Sequence, residues 1–546
     1  MKTIRSMVLV SNDPLSVERG ATDILSALQK EIKSKNLDQE ISVSFASDID
    51  RSDIAPLIIV YPEAIVYGPI KPEDIPFIVE EHLYKGRIAT HLRAPKKALS
   101  GRIAWLSSRE GTLPAEQRIV LQRAGLIDPE SIDEYILHDG YLALGKALSE
   151  MKPEDVINAL KESGLRGRGG AGFPTGLKWQ FVSNTNNQKK YVICNADESE
   201  PGTFKDRLIL EGDPHSILEA MTIAGYAVGS DEGYIYIRGE YNLAQQRIQK
   251  AIQQATDMGF LGKNIFGTDF HFEIHVHAGA GAYICGEETA LLESIEGKRG
   301  EPRPRPPYPT TNGLWNKPTL VNNVETLANV PPILRNGADW FRSFGPKNSP
   351  GTKVYTILGN VNATGLIEVP MGITLREVIS FYAKGMKNGV NFKLAQTGGS
   401  SGSIIPSSLQ DTPMDFDSVE KAGVSMGSGA LLICSDEVCV VDLAKVLLKF
   451  FKFESCGKCV PCRVGNQRAL QILSNISEGL GTMQDLETLQ EMSKFLYEMS
   501  NCGLGQTAGT PLHDTLHHFR AEVEAHIKLK VCPAGVCSMS GRRFYE

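Results

Sequence analysis

Three cysteines at C-x2-C-x2-C spacing, Cys456, Cys459 and Cys462, with a fourth thiol at Cys502, constrain this chain more than any other feature. A loop that short must turn its three sulfurs toward one point, and the remaining ligand must come from a separate element folded against it. That is the ligand set of a [4Fe–4S] cluster. Zinc sites more often pair two C-x-x-C units, which leaves a zinc knuckle or scattered core thiols as the blander alternatives. Lys458 and Arg463 set positive charge beside a cluster that carries net negative charge. The chain has 10 cysteines and none before Cys194, a usage that suits metal ligation in a reducing compartment rather than a disulfide scaffold. The spacing therefore predicts a protein that moves single electrons.

The 546 residues allow about three or four domains. A formal net charge of -7 argues against a nucleic-acid partner. The apolar run from Met7 to Val10 is too short for a signal peptide. No stretch reaches the roughly eighteen apolar residues of a membrane span, so the expected location is the cytoplasm. Hydrophobic periodicity divides the chain into an α/β unit over 1–95, a basic connector over 96–140, a larger α/β domain over 141–350, a small β-grasp-like module over 351–432 and a helical region over 433–546. In the first unit, strands are expected at 6–11, 41–45 and 55–61, with a helix over 16–35. In the larger domain they are expected at 191–195, 233–237 and 270–275. In the small module, a second strand at 366–369 precedes a helix that opens at Thr374.

The segment from Gly164 to Trp179 is dense in glycine, with Arg168 and Lys178 close by. Glycine lets backbone N–H groups approach a phosphate, and the cations neutralise it. Gly167, Gly169 and Gly172 fit G-x-G-x-x-G, a weak match in a chain with 52 glycines, and Pro174 and Thr175 interrupt the usual dinucleotide fingerprint. A flexible turn is the alternative. Asn195, Asp197, Glu198 and Glu200 follow a strand, at the end where α/β ligands bind. Taken singly, each reads as a solvated loop group. Tyr283, Gly286, Glu287 and Glu288 follow Gly279 and Gly281. They suit a flavin or nucleotide pocket, and equally a helix whose first turn prefers acids.

Taken in order, GRGGAGFPTGLKW, NADESEPGTFKDR, GAYICGEETAL, VNNVETLANV and ESCGKCVPCR resemble the NADH-oxidising flavoprotein subunit of respiratory complex I. They are equally similar to its relatives in NAD-linked [FeFe]-hydrogenases and NAD-dependent formate dehydrogenases. In that family an FMN accepts hydride from NADH and passes electrons singly to the [4Fe–4S] cluster. The resemblance implies an α/β multidomain chain: a thioredoxin-like N-terminal domain, a Rossmann-like FMN/NADH domain, a β-grasp module and a helical bundle with the cluster. It places Gly167, Arg168, Gly169, Gly170 and Lys178 at the FMN loop. Asn195, Asp197, Glu198, Tyr283, Gly286, Glu287, Asn322 and Asn323 would make the rest of the FMN site. Phe173, Phe181, Glu200 and Glu288 match residues that stack on or hydrogen-bond NADH. Arg305 and Tyr308 stand where many relatives have Lys and Phe, and they keep the charge and the aromatic face.

Residues 1–95 are similar to a thioredoxin-like [2Fe–2S] domain, but Asp48 and Ser52 stand where relatives carry a cysteine pair. Such relatives often continue into a ferredoxin domain, whereas this chain stops at Glu546. Simple NADH-linked transfer is therefore expected rather than electron bifurcation. The implied partners are a small thioredoxin-like [2Fe–2S] subunit and a larger iron–sulfur catalytic subunit, a hydrogenase or a formate dehydrogenase. The competing class is a non-catalytic scaffold with a decayed flavin site, against which the retained acids and Lys178 stand.

Near the C-terminus, His526, Cys532 and Cys537 form H-x5-C-x4-C, and Cys439 precedes the cluster loop. One imidazole and three thiolates make a closed zinc set. Two buried thiols and a surface histidine are the alternative. The hydrogenase-type relatives have a similar C-P-A-G-V-C stretch, which favours a metal. The expected ligands are Cys439, His526, Cys532 and Cys537, with Cys434 as the substitute for Cys439.

Overall fold

The computed structural model describes residues 6–46, 54–61, 65–94, 117–187, 189–387 and 389–540. Asp48, Ser52 and the first part of the connector lie outside them. The N-terminal sheet has strands β1 (Ser6–Ser11), β2 (Ile41–Ala46), β3 (Ile58–Tyr61) and β4 (Ile65–Tyr67), in the order β2-β1-β3-β4. The apolar residues of β1 and β3 bury against Ile24 and Leu28 of the Ala21–Ser34 helix. The single helix expected over 16–35 is instead two, because Gly20 takes a left-handed φ of 96° between Pro14–Glu18 and Ala21–Ser34.

The larger domain is built on β5 (Tyr191–Ala196), β6 (Glu232–Ile237), β7 (Glu273–Ala278) and β8 (Thr319–Asn323), all parallel, in the order β7-β6-β5-β8. Two expectations need correction. The strand expected at 270–275 runs from Glu273 to Ala278, because Phe272 first pairs with Gly262 in a separate bridge. The fourth strand, β8, has no counterpart in the sequence pattern; its short TLVNN sequence carries polar residues at the end that lines the site. The chain leaves β5 toward β6 on one side and returns to β8 on the other. The carboxyl ends of β5 and β8 therefore flank a topological switch point, where open α/β sheets bind ligands.

The third sheet holds β9 (Thr352–Gly359), β10 (Gly365–Pro370), β11 (Phe392–Thr397), β12 (Ile404–Pro406) and β13 (Ala430–Ser435). Its order is β10-β9-β13-β11-β12, with β13 parallel to β9 and every other neighbour antiparallel. The helix after β10 opens with a capping box between Thr374 and Glu377. A boundary at 432 falls inside β13, so the module extends to Ser435.

The C-terminal region is helical. Val440–Glu454, Asn466–Ser477 and Met483–Met499 pack around Leu448, Ile472, Leu486 and Leu496. A second core crosses the domain border: Phe451, Cys462 and Leu504 pack with Ile284, Leu291 and Val321 of the parallel-sheet domain. Among the described residues, no helix is long and apolar enough to cross a membrane.

Candidate functional site

A cavity of about 450 Å³ opens at the switch point. Of the residues expected there, Gly169, Gly170, Asn195, Asp197, Glu198, Glu200, Tyr283, Gly286, Glu287 and Asn323 line it. The glycine loop follows a helix, Pro153–Ser163, rather than a strand, and is pinned by an Arg166–Pro174 bridge before the Thr175–Ser183 helix begins. A Cβ on Gly169 would lie 3.1 Å from that of Asn323, and Gly170 has a φ of 129°. Glycine at these positions keeps bare backbone against the cavity.

The loop cations do not face that space. Arg168 is 1% exposed. Its guanidinium donates to the carbonyls of Thr352 at 3.0 Å, Arg166 at 3.0 Å and Pro350 at 2.8 Å. This corrects its expected place at a phosphate: buried among carbonyls, it ties the glycine loop to β9. Lys178 donates to Glu288 at 2.8 Å and to the Val321 carbonyl at 2.9 Å. Asn322 accepts from the Trp179 indole at 2.9 Å, so its side chain is engaged in the core rather than at the cavity. The cation on the cavity wall is Lys205, 2.6 Å from Asp206 and 3.0 Å from Glu325.

The acids are set by different partners. Glu198 accepts the N–H groups of Asp206 and Arg207, both at 3.0 Å, and so caps the Lys205–Gly212 helix. Burial, with the Asp206 charge nearby, pushes its carboxyl up to about 7. Asp197 accepts from Ser199 at 2.8 Å through Oδ1, while its buried Oδ2 has no partner among the described residues. Burial pushes this carboxyl up to about 7 as well. Glu200 accepts from the Tyr283 hydroxyl at 2.5 Å and from Ser401 N–H and hydroxyl at 2.9 and 2.8 Å; burial raises its pKa. Asn195 donates to the Gly286 carbonyl at 2.8 Å, and Asn323 to Asp206 at 2.6 Å.

Beyond the lining residues, Arg305 binds Glu287 and reaches Glu288 at 3.3 Å. With Lys178 on Glu288, two acids and two cations form a chain, Lys178–Glu288–Arg305–Glu287. The rings of Phe173 and Phe181 lie 6.4 Å apart, both half exposed, and Tyr308 is exposed. Sequence reasoning missed the wall that the third module supplies: Ser401, Ser425, Gly427 and Ser428. The glycine–serine run at 398–403 is the available signal.

Cys456, Cys459 and Cys502 pack against the core shared with the parallel-sheet domain, and Cys462 lies in it. Burial and the neighbouring Cys459, Cys502 and Cys456 push the Cys462 thiol up to about 11. Four thiols this close fit a cluster that takes their charge. Gly503 and Leu504, directly after Cys502, line the cavity, and Phe450 stacks edge-on to Tyr283 with ring centroids 5.0 Å apart.

The ligand atoms of Cys439, His526, Cys532 and Cys537 all lie within 4.8 Å of one another. Cys439 Sγ is 3.4 Å from His526 Nε2, and His526 Nδ1 contacts the Glu522 carbonyl at 2.8 Å. That carbonyl fixes the tautomer that turns a lone pair toward the thiols. His526 is fully buried, so the surface-histidine alternative fails. Cys434, held in reserve as a ligand, is not in the group.

Two family models match the chain: the Nuo51 FMN-binding domain over residues 160–332, and the NADH-ubiquinone oxidoreductase-F iron-sulfur binding region over residues 442–526. The HndC subunit of the NADP-reducing hydrogenase of Solidesulfovibrio fructosivorans is 50% identical over 421 residues, which are 77% of this chain and 86% of that protein. The NADH-quinone oxidoreductase F subunit of Escherichia coli K12 is 45% identical over 402 residues, 73% of this chain and 90% of its own length. Among solved structures, an NAD+-reducing [NiFe]-hydrogenase in the H2-reduced state aligns with a TM-score of 0.67 at 30% identity, covering 96% of this chain and 85% of its own.

Proposed function

The chain belongs to the family of the NADH-quinone oxidoreductase F subunits and the hydrogenase protein HndC, and from that premise we propose how its own residues divide the work. It is an NAD-linked flavoprotein subunit of a redox complex, an NADH oxidoreductase with FMN and a [4Fe–4S] cluster. FMN, when bound, exchanges a hydride with the nicotinamide and passes its electrons on singly.

The observation that carries the assignment of residues is the orphaned Asp197 Oδ2 on the cavity wall. A buried acceptor without a partner calls for a donor, and the flavin ring edge offers N–H. Gly169 and Gly170 present backbone to the flavin, with Asn195, Glu198, Tyr283, Gly286, Glu287 and Asn323 around it. Gly167, Arg168, Lys178 and Asn322 stand behind the site as its supports rather than on its wall. Phe173, Phe181 and Tyr308 offer exposed aromatic faces for the dinucleotide, while Glu200 and Glu288 orient it. Arg305 neutralises Glu287 and Glu288 until a nucleotide competes for it.

Cys456, Cys459, Cys462 and Cys502 hold the cluster. Cys439, His526, Cys532 and Cys537 hold zinc, which clamps the C-terminal tail to the helical region. We assign 1–95 to a thioredoxin-like domain without cluster ligands, 141–350 to FMN and NADH, and 351–435 to a β-grasp module, a reading supported by the parallel pairing of its first and last strands. The partners proposed are a small thioredoxin-like [2Fe–2S] subunit and a larger iron–sulfur subunit of hydrogenase type, in the cytoplasm. The likeness to an NAD+-reducing hydrogenase along nearly the whole chain favours hydrogenase over formate dehydrogenase.

The purified chain should be yellow-brown, bleach on NADH addition and reduce ferricyanide with NADH. Protein that takes up FMN yet shows no NADH-dependent bleaching would reject the nucleotide assignment.

A further inference from the structure

Among the described residues, a buried ion pair links the N-terminal domain to the helix whose first residues line the flavin cavity. Glu40, at the turn before β2, is 5% exposed. Carboxylates are almost never buried so deeply unless paired. Its Oε2 accepts from the Arg207 guanidinium at 3.0 Å. Arg207, equally buried, lies in the first turn of the Lys205–Gly212 helix. Its Nε donates to Glu211 at 2.8 Å, and its guanidinium sits 5.2 Å from the Tyr241 ring centre.

The same residue faces two ways. Its side chain meets the N-terminal domain, while its backbone N–H is anchored by Glu198 Oε2 at 3.0 Å. The Tyr241 hydroxyl donates to that same oxygen at 3.2 Å. One turn therefore presents Lys205 and Asp206 to the cavity, fastened on its inner side by Glu198 and on its outer side by Glu40. A buried ion pair is a weak source of stability and a better device for fixing register. Docking alone would be served as well by an apolar contact. Without Glu40, the guanidinium keeps Glu211 on one edge and loses its charged partner on the other.

We propose that the N-terminal domain is a fixed brace of the flavin cavity, and that Glu40 is a positioning residue that acts through Arg207 on the turn bearing Lys205 and Asp206. The inference rests on the reading of that cavity as the FMN site. It gives a domain without cluster ligands a reason to be there that needs no partner.

The test titrates full-length, flavin-stripped protein with FMN and follows the quenching of flavin fluorescence and the visible circular dichroism of the bound flavin. Removing one of the two carboxylates on the buried guanidinium should weaken FMN binding about ten-fold or more in E40A, and by a smaller factor in the isosteric E40Q, with an altered flavin dichroism in both. K35A, which breaks the Lys35–Glu80 pair elsewhere in the same domain, should bind FMN like the parent. Parent-like affinity and dichroism in E40A and E40Q overturn the brace while leaving the FMN site intact. If E40A fails to fold, E40Q decides. A parent chain that binds no FMN removes the assignment of the cavity, and this inference with it.

Discussion

Replacing Glu325 with alanine tests the buried charges that join the flavin domain to the module after it. The carboxylate is fully buried and accepts from Lys353 Nζ at 2.6 Å and from the Val354 N–H at 2.8 Å, with Lys205 Nζ 3.0 Å away. Breaking a buried pair costs about 3–5 kcal/mol because a charge is stranded. Two ammonium groups lose their shared partner here, but Lys205 keeps Asp206 at 2.6 Å and Lys353 keeps the Ser428 carbonyl at 2.9 Å. The lower end, about 3 kcal/mol, is therefore expected for the charges. The Val354 N–H left without an acceptor adds about 1–3 kcal/mol. At roughly 2–4 °C per kcal/mol for a domain of this size, E325A should melt roughly 10–20 °C below the parent. E325Q keeps an acceptor for Val354 and should fall between the two. Adding K353M to E325Q removes one stranded charge and should recover part of the loss. Thermal melts followed by circular dichroism at neutral pH measure all four proteins. A drop of less than about 3 °C in E325A would refute the charge network as a stabilising link, since it lies below the smallest cost worked out above.

C459S should lose most of the cluster iron and the reduced EPR signal while retaining part of the flavin reduction by NADH; an undiminished signal removes Cys459 from the ligands. Metal analysis of C532S should show loss of about one zinc per chain with cluster iron retained, as a four-ligand site requires; a parent without zinc ends that assignment. Asp197 gives a pH test. Its folded pKa, about 7, lies above the ordinary value of 3.8, so the folded state holds a proton that the unfolded chain releases. Its penalty is absent below about pH 4 and grows until about pH 7. D197N should therefore raise the melting point of the flavin-free protein above neutrality and not in acid; an equal shift at both ends contradicts the burial argument.

The sequence is most legible where local chemistry dictates geometry. The C-x2-C-x2-C loop, the Thr374 capping box and the β5 and β6 strands need little beyond their own residues. The Cys439 group is more instructive, because H-x5-C-x4-C names three ligands and only the fold brings Cys439 to them. Arg168 shows the opposite case. A cation in a glycine loop reads as a phosphate ligand, yet β9, far along the chain, offers it a carbonyl instead. Ser401 is only half legible: the glycine–serine run marks its loop, but its role depends on one module folding over another. The short β8 strand is hard to see because its five residues carry a site as well as a core.

The helix that begins after Cys502 is wall and root at once: Gly503, Leu504 and Thr507 face the cavity, while the thiol before them packs with the thiols of the cluster loop on one shared core. Loss of the cluster would free that helix at its N-terminus, and local opening follows such lost anchors. Damage at the metal is thereby felt as slack in the flavin's housing. Cluster loss should therefore loosen the flavin without releasing it, because one turn of helix serves both sites.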